Sequence, residues 1–185
     1  MKNKIIIGIA GYKGSGKDTA ANYLKDKLSA RVFHLALPVK QTISNVFGIP
    51  MNYMEDRDLK ESSYRLSNGE ITTIRKIMQE VGNKFREIDK DVWLSKCVRD
   101  INNDFKYSTE GYKYDTVYYL IPDVRFKNEA DKCDITILLE REGLEKTDTD
   151  ASENGLNDYK FDYVIQNNGK DLSQFYQELN KIKLD

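Results

Sequence analysis

The sequence predicts an α/β fold, a three-layer sandwich around a central parallel sheet, and three observations carry that expectation. Apolar, β-branched runs recur as "KIIIGIA", "TVYYLIPDVRF" and "DITILLERE", nearly continuous rather than alternating, as in strands buried on both faces. Stretches with helical spacing separate them, the alternation that produces parallel sheets. The first run also feeds a glycine-rich loop that opens a helix.

In chain order, "KIIIGIA" is the first strand. Ala20, Ala21, Leu24 and Leu28 fall at helical spacing and predict a helix from Lys17 to about Leu28. "RVFHLAL" reads as a short strand. Pro38 then suits the first turn of a helix carrying Val39, Ile43, Val46 and Phe47, which Gly48 and Pro50 close. Residues 50–71 are polar, without clear period, and contain the turn signal "SNG", so they read as a surface excursion. Ile74, Ile77, Met78, Val81 and Phe85 predict a helix from Thr72 to about Phe85, and another is expected from Asp91 to Ile101. "NNDFKYSTEGYKYD" reads as a connecting loop. The second and third strong strands, "TVYYLIPDVRF" and "DITILLERE", flank "KNEADKC", which has room only for a short helix. A weaker strand, "FDYVIQN", precedes a last helix with its stripe at Leu172, Phe175, Leu179 and Ile182. No internal repeat is visible.

Composition narrows the function classes. The 185 residues suit one substantial domain, and 39% hydrophobic with 32% charged residues describe a folded chain rather than a disordered or membrane one. A net charge of −1 offers no basic excess for a nucleic-acid polymer. "IIIGIA" is far too short to span a bilayer and lacks a signal cleavage pattern, so no membrane partner and a cytoplasmic location are expected. Cys97 and Cys133 lack disulfide or zinc spacing and read as buried small residues. The single histidine, His34, sits among apolar residues and reads as a packed strand-end side chain, which disfavours histidine-based hydrolytic triads.

The chemistry concentrates in "GYKGSGKDT", residues 11–19, where Gly11, Gly16 and Lys17 fit the phosphate-binding spacing Gly-x-x-x-x-Gly-Lys. A glycine loop between strand and helix presents backbone N–H groups to an anion, and the helix N-terminus adds partial positive charge. Gly14 and Gly16 allow close approach, and Lys17 can spread the charge of the outer phosphates. Lys13 and Ser15 belong to the same loop. Asp18 stands where the pattern has Ser or Thr. A carboxylate there either ligates Mg2+, directly or through water, or turns away to cap the helix, while Thr19 supplies the hydroxyl.

Four stretches, "AGYKGSGKDTAANYL", "RKIMQEVGNKFREIDKDVWLSKC", "YLIPDVRFKNEAD" and "DASENGLNDYKFDYVIQNNG", together resemble the bacteriophage and bacterial deoxynucleoside monophosphate kinases. In that family Gly-Lys-Asp-Thr is the usual form of the loop, and the matching pieces run in the family's order. The resemblance implies a P-loop kinase fold of the nucleoside monophosphate kinase type, with ATP and Mg2+ used to phosphorylate a deoxynucleotide. The host cytoplasm is the place of action if a phage encodes it. A homodimer is left open. The acceptor region falls at about 38–103 and a closing segment at about 142–159, within one kinase domain.

No covalent nucleophile is needed for such a transfer, because positioning and charge neutralisation supply the catalysis. Arginines are expected to hold the acceptor phosphate, since the guanidinium fork grips oxygens in pairs. Arg75, Arg86 and Arg125 are the candidates. Arg75 and Gln79, four apart, share a helix face, although spacing alone leaves Arg75 equally readable as a solvated charge. "PDVRF" puts Asp123 and Arg125 at the carboxyl end of a buried strand, where α/β sheets bind ligands. There Asp123 is expected to hold a metal-bound water or orient Lys17. Asn128 and Glu129 follow the same family pattern as substrate contacts. Lys40 matches a family lysine near the acceptor but reads equally as a plain helix-surface lysine, Trp93 reads as core or as a site wall, and Arg141 as a donor-phosphate contact or a structural ion pair. The chain departs from the pattern at Leu37, Lys84 and Asp150, positions expected to tune base preference. Two other readings stay open at this point: a phosphomevalonate or dephospho-coenzyme A type of P-loop kinase, and a non-catalytic nucleotide-binding switch. The absence of N-K-x-D weighs against a GTP switch.

Overall fold

The computed structural model describes residues 3–108, 116–144, 155–169 and 171–183. It divides into two compact units, one made of residues up to His34 together with those from Asp100 onward, the other of Leu35–Arg99.

The first unit is built on a five-stranded sheet. Its strands are β1 (Asn3–Gly11), β2 (Arg31–Val32), β5 (Thr116–Ile121), β6 (Ile135–Glu140) and β7 (Tyr163–Gln166). They run in the order β2-β5-β1-β6-β7, and every pairing is parallel. In β1 consecutive residues Ile6, Ile7, Ile9 and Ala10 are all buried, because both faces are covered. On one face, helices α1 (Lys17–Leu28) and α7 (Leu172–Leu179) bring Ala20, Ala21, Leu24, Phe175 and Leu179 against Ile7, Ile9, Leu120, Ile137 and Leu139. On the other face the fully buried Tyr119 donates its hydroxyl to Asp104 at 2.8 Å. Asp104 lies on α5 (Val92–Ser108) and also pairs with Arg31. The expected parallel α/β sandwich is therefore present.

The second unit holds α2 (Leu37–Phe47), α3 (Met51–Glu55), a 3-10 turn (Leu59–Glu61), the hairpin strands β3 (Ser63–Arg65) and β4 (Ile71–Thr73), α4 (Ile74–Ile88) and the first half of α5. Val39, Ile43, Ile49, Met54, Ile74, Ile77 and Trp93 form its core. The Thr73 side chain caps α4 by accepting from the Lys76 N–H at 3.2 Å.

Three expectations from the sequence differ from the structure. The second strand ends at Val32 rather than Leu37, because Pro38 presets the backbone of the first helical turn and α2 already begins at Leu37. His34 is consequently exposed, not packed. The stretch 50–71 carries a helix, a 3-10 turn and an antiparallel hairpin; all are too short to set up a readable period. Finally, α5 runs past Ile101 to Ser108. Its last turns pack through Asp104 rather than through an apolar stripe, so hydrophobic spacing ends before the helix does. Cys97 is buried as expected, while Cys133 is only partly so, its thiol donating to the Glu129 carbonyl at 3.4 Å.

Candidate active site

The glycine loop expected to bind phosphate spans Gly11 to Gly16, between the end of β1 and the start of α1. Two of its glycines are required by geometry. Gly11 has φ +147°, and a Cβ there would lie 2.5 Å from the Leu139 carbonyl and 2.6 Å from Ser15 Oγ. Gly16, the N-cap of α1, has φ +102°, and its Cβ would lie 2.6 Å from Asn167 Nδ2 and 3.5 Å from the Phe175 ring. Backbone of this kind admits no other residue cheaply. The Ser15 N–H closes a turn on the Tyr12 carbonyl at 3.0 Å. Ser15 itself is buried, and its Oγ has no hydrogen-bond partner among the described residues.

Lys17 folds back over the loop, its ammonium donating to the carbonyls of Gly11 at 2.5 Å and Tyr12 at 2.9 Å. Lys13, Gly14 and Asp18 are exposed, and Thr19 is partly so. Asp18 sits in the first turn of α1, where a negative charge is favoured by the helix dipole, and forms no cap because the N-cap is Gly16. Arg141, just beyond β6, reaches the loop by donating to the Gly14 carbonyl at 3.4 Å. Arg141 thus stands beside the glycine loop, a contact that its position in the sequence did not reveal.

Asp123 and Arg125 lie beyond the carboxyl end of β5, and the Val124 N–H there donates to Ile9 of β1 at 3.3 Å. Glu129, expected to touch substrate, is buried instead. Its carboxylate accepts the N–H groups of Arg125 at 2.8 Å and Phe126 at 3.2 Å. It sits three residues inside the short helix α6 (Lys127–Ala130), reaching back to the N-cap as capping glutamates do. Its effect is to fix the backbone that carries Arg125. In the same unit Tyr159 has its hydroxyl pKa pushed up, first by burial and then by the Asp131 carboxylate.

In the second unit Arg75, Gln79, Gly82 and Arg86 occupy α4 at spacings of four, three and four, one continuous stripe of the helix. All three polar side chains are partly buried. Arg75 pairs with Glu61, and Lys40 on α2 approaches Glu55 at 3.9 Å. Both carboxylates come from the stretch 51–61, which the sequence presented only as a polar excursion. Asp56 in that stretch has its pKa held below the ordinary value by the N–H groups of Leu59 and then Asp58.

Trp93, expected in the core or at a site wall, is in the core: 5% exposed, its indole donating to the Gly82 carbonyl at 3.0 Å and its ring 5.1 Å from Phe85. Leu37 and Lys84 are exposed, and Asp150 lies outside the described residues, as does 145–154 of the expected closing segment. No group of three or more metal-ligating side chains is assembled among the described residues. A magnesium ion bound through one or two carboxylates, phosphates and water requires no such cluster. Among them, too, no helix is long and apolar enough to cross a membrane.

The chain is 32% identical over 184 residues to the "Putative deoxynucleotide monophosphate kinase" of Acanthamoeba polyphaga mimivirus, covering 95% of this chain and 94% of that one. The solved structure of TT1252 from Thermus thermophilus is similar in fold, with a TM-score of 0.53 at 16% identity over 97% of this chain and 96% of that one. A dephospho-CoA kinase from Campylobacter jejuni gives a TM-score of 0.49 at 15% identity over 96% and 95%. The family model for deoxynucleotide monophosphate kinases matches residues 4–65 and 50–179. With nearly the whole chain matched, this protein belongs to the deoxynucleotide monophosphate kinase family.

Proposed function

We propose that this kinase transfers the γ-phosphoryl group of ATP to the 5′-phosphate of a deoxynucleoside monophosphate, giving ADP and a deoxynucleoside diphosphate. The observation that carries the reading is the phosphate loop, in which Gly11 and Gly16 hold a backbone that any Cβ would obstruct. Gly11, Lys13, Gly14, Ser15, Gly16 and Thr19 line the donor side, with Arg141 at the Gly14 carbonyl. The N-terminus of α1 attracts the phosphates. Lys17 exchanges two carbonyl oxygens for phosphate oxygens and stabilises the charge that spreads during transfer.

Mg2+, which supplies charge neutralisation between the outer phosphates, suits Asp18 and Asp123 as direct or water-mediated carboxylate partners. The acceptor is assigned to the unit Leu35–Arg99. Arg75 and Arg86 take its phosphate, Gln79 meets sugar or base, and Lys40 adds charge. Arg125, on the backbone that Glu129 fixes, neutralises the group in transfer. The acceptor phosphate is an anion at neutral pH and attacks without a general base. Turnover is accordingly independent of His34, which is exposed.

The test is ADP formation from ATP and Mg2+ with each of the four dNMPs, the matching ribonucleotides, phosphomevalonate and dephospho-coenzyme A offered separately. Turnover with at least one dNMP and none with the last two supports the reading. ATP binding without turnover of any acceptor would favour a nucleotide-dependent switch.

A further inference from the structure

The loop after β7 enters the phosphate site by a side chain whose partner is backbone. Asn167 continues the sheet by one bond, its N–H donating to the Glu140 carbonyl at 2.7 Å. That bond fixes where its side chain starts. From there Nδ2 donates to the Ser15 carbonyl at 2.8 Å, and a carbonyl can only accept, so the amide is held with its nitrogen inward. The neighbouring Asn168 accepts the Glu142 N–H at 2.7 Å, which ties the same loop to the chain leaving β6.

We propose that Asn167 is a positioning residue for the donor phosphates, one that sets the direction of the Gly16 N–H; this rests on the phosphate loop being the ATP site. The peptide between Ser15 and Gly16 is planar and trans, so its C=O and N–H point to opposite sides. Holding the Ser15 carbonyl toward Asn167 turns the Gly16 N–H away from Asn167. The loop binds an anion only when successive N–H groups converge. With φ at +102° and no side chain, Gly16 has little resistance of its own to a peptide flip. Phe175 and the Asn167 amide both lie against its Cα side, and of the two only the amide acts on the peptide's direction. In this account Asn167 touches no phosphate. It acts through Gly16.

The experiment compares wild type with Asn167→Leu, which keeps the branched heavy-atom outline and removes the donor, and Asn167→Asp, which keeps the shape and replaces donor by acceptor. ATP dissociation constants are measured calorimetrically with Mg2+ and no acceptor, beside initial rates and melting temperatures. For Asn167→Leu the ATP dissociation constant and KM are expected to rise about tenfold or more, a change of the size one buried hydrogen bond supports. KM for the dNMP stays within about twofold and the nucleotide-free melting temperature within about 3 °C, the marks of a local change. Asn167→Asp is impaired at pH 7.5. Its deficit relative to wild type at the same pH shrinks toward about pH 5, because a protonated carboxyl can again donate to Ser15.

An unchanged ATP dissociation constant in Asn167→Leu overturns the proposal. So does an equal loss in KM for both substrates accompanied by a lowered melting temperature, which is a general packing defect. If Asn167→Leu does not fold, the pH dependence of Asn167→Asp decides alone, and a deficit that does not vary with pH overturns the proposal. If wild type turns over no dNMP, the functional reading fails, whereas the ATP dissociation constants still judge Asn167.

Discussion

On the proposed reading, the glycine loop in one unit and the α4 stripe in the other would bind anions by opposite means. In the loop the ligand groups are backbone N–H donors, and the side-chain requirement is negative: Gly11 and Gly16 must have none. On α4 the ligand groups are side chains, and the helix contributes only their spacing. The two also differ in what occupies them before substrate. Lys17 rests on neutral carbonyls, whereas Arg75 rests on the Glu61 carboxylate and Lys40 lies beside Glu55. Neutral carbonyls are weak competitors for an ammonium when a polyphosphate arrives. A carboxylate is a strong one, so on the proposed reading Arg75 gives up its pairing with Glu61 to take the acceptor phosphate. Donor affinity should therefore depend on backbone shape, and acceptor affinity on charge balance.

Four substitutions sharpen that contrast, in falling order of effect. Lys17→Ala removes the mobile charge and is expected to lower kcat by about 10²–10³-fold with the circular dichroism spectrum unchanged. Wild-type turnover in a folded Lys17→Ala protein would remove the loop from the mechanism. Gly16→Ala asks whether shape governs the donor side: strain at φ +102° and a Cβ at 2.6 Å from Asn167 Nδ2 should cost about 1–3 kcal/mol of stability. ATP affinity falls with it and KM for the dNMP does not. Trp93→Phe tests the core assignment. The Gly82 carbonyl loses its indole donor, and an unfolding free energy from chemical denaturation lower by about 1–2 kcal/mol is expected, with KM for the dNMP unchanged. A raised KM at full stability would return Trp93 to the site wall.

The smallest effect concerns the acidic stretch itself. The lowered pKa of Asp56 means that its folded carboxylate adds stability above the ordinary carboxylate value, and that this is lost as pH falls through the lower folded value. Wild type should therefore melt slightly higher than Asp56→Asn at pH 7, and the gap should close as pH falls below the ordinary carboxylate range. A gap that widens on acidification contradicts the assignment. The carboxylate is exposed, so the whole effect is small.

The same contrast explains what the sequence made legible. Backbone chemistry leaves a positive trace in sequence, because a required φ or a close approach demands glycine. The loop, the strand before it and the helix from Lys17 to Leu28 could all be read in advance, and so could the two other strong strands, though not their order in the sheet. Side-chain chemistry leaves only spacing, and Arg75, Gln79 and Arg86 gained a common face once α4 was in place. Partners distant in sequence left no trace. Glu61 lies in a stretch without period, and its pairing with Arg75 spans a hairpin. Asn167 is 152 residues from Ser15, and nothing in "QNNG" points to that carbonyl. Glu129 misled for the same reason: a carboxylate after an Asp-x-Arg looks like a ligand until its short helix shows it bound to the N–H groups of Arg125 and Phe126.

The most direct test of the division between the two sides is two-substrate kinetics on Arg75→Ala, with ATP and dNMP varied together. A side chain that holds only the acceptor should raise KM for the dNMP by about 10–100-fold, as loss of a charge-assisted phosphate contact does, and leave the ATP dissociation constant within about twofold. Equal losses for both substrates, or an unchanged KM for the dNMP, would contradict the assignment of the acceptor to the α4 stripe.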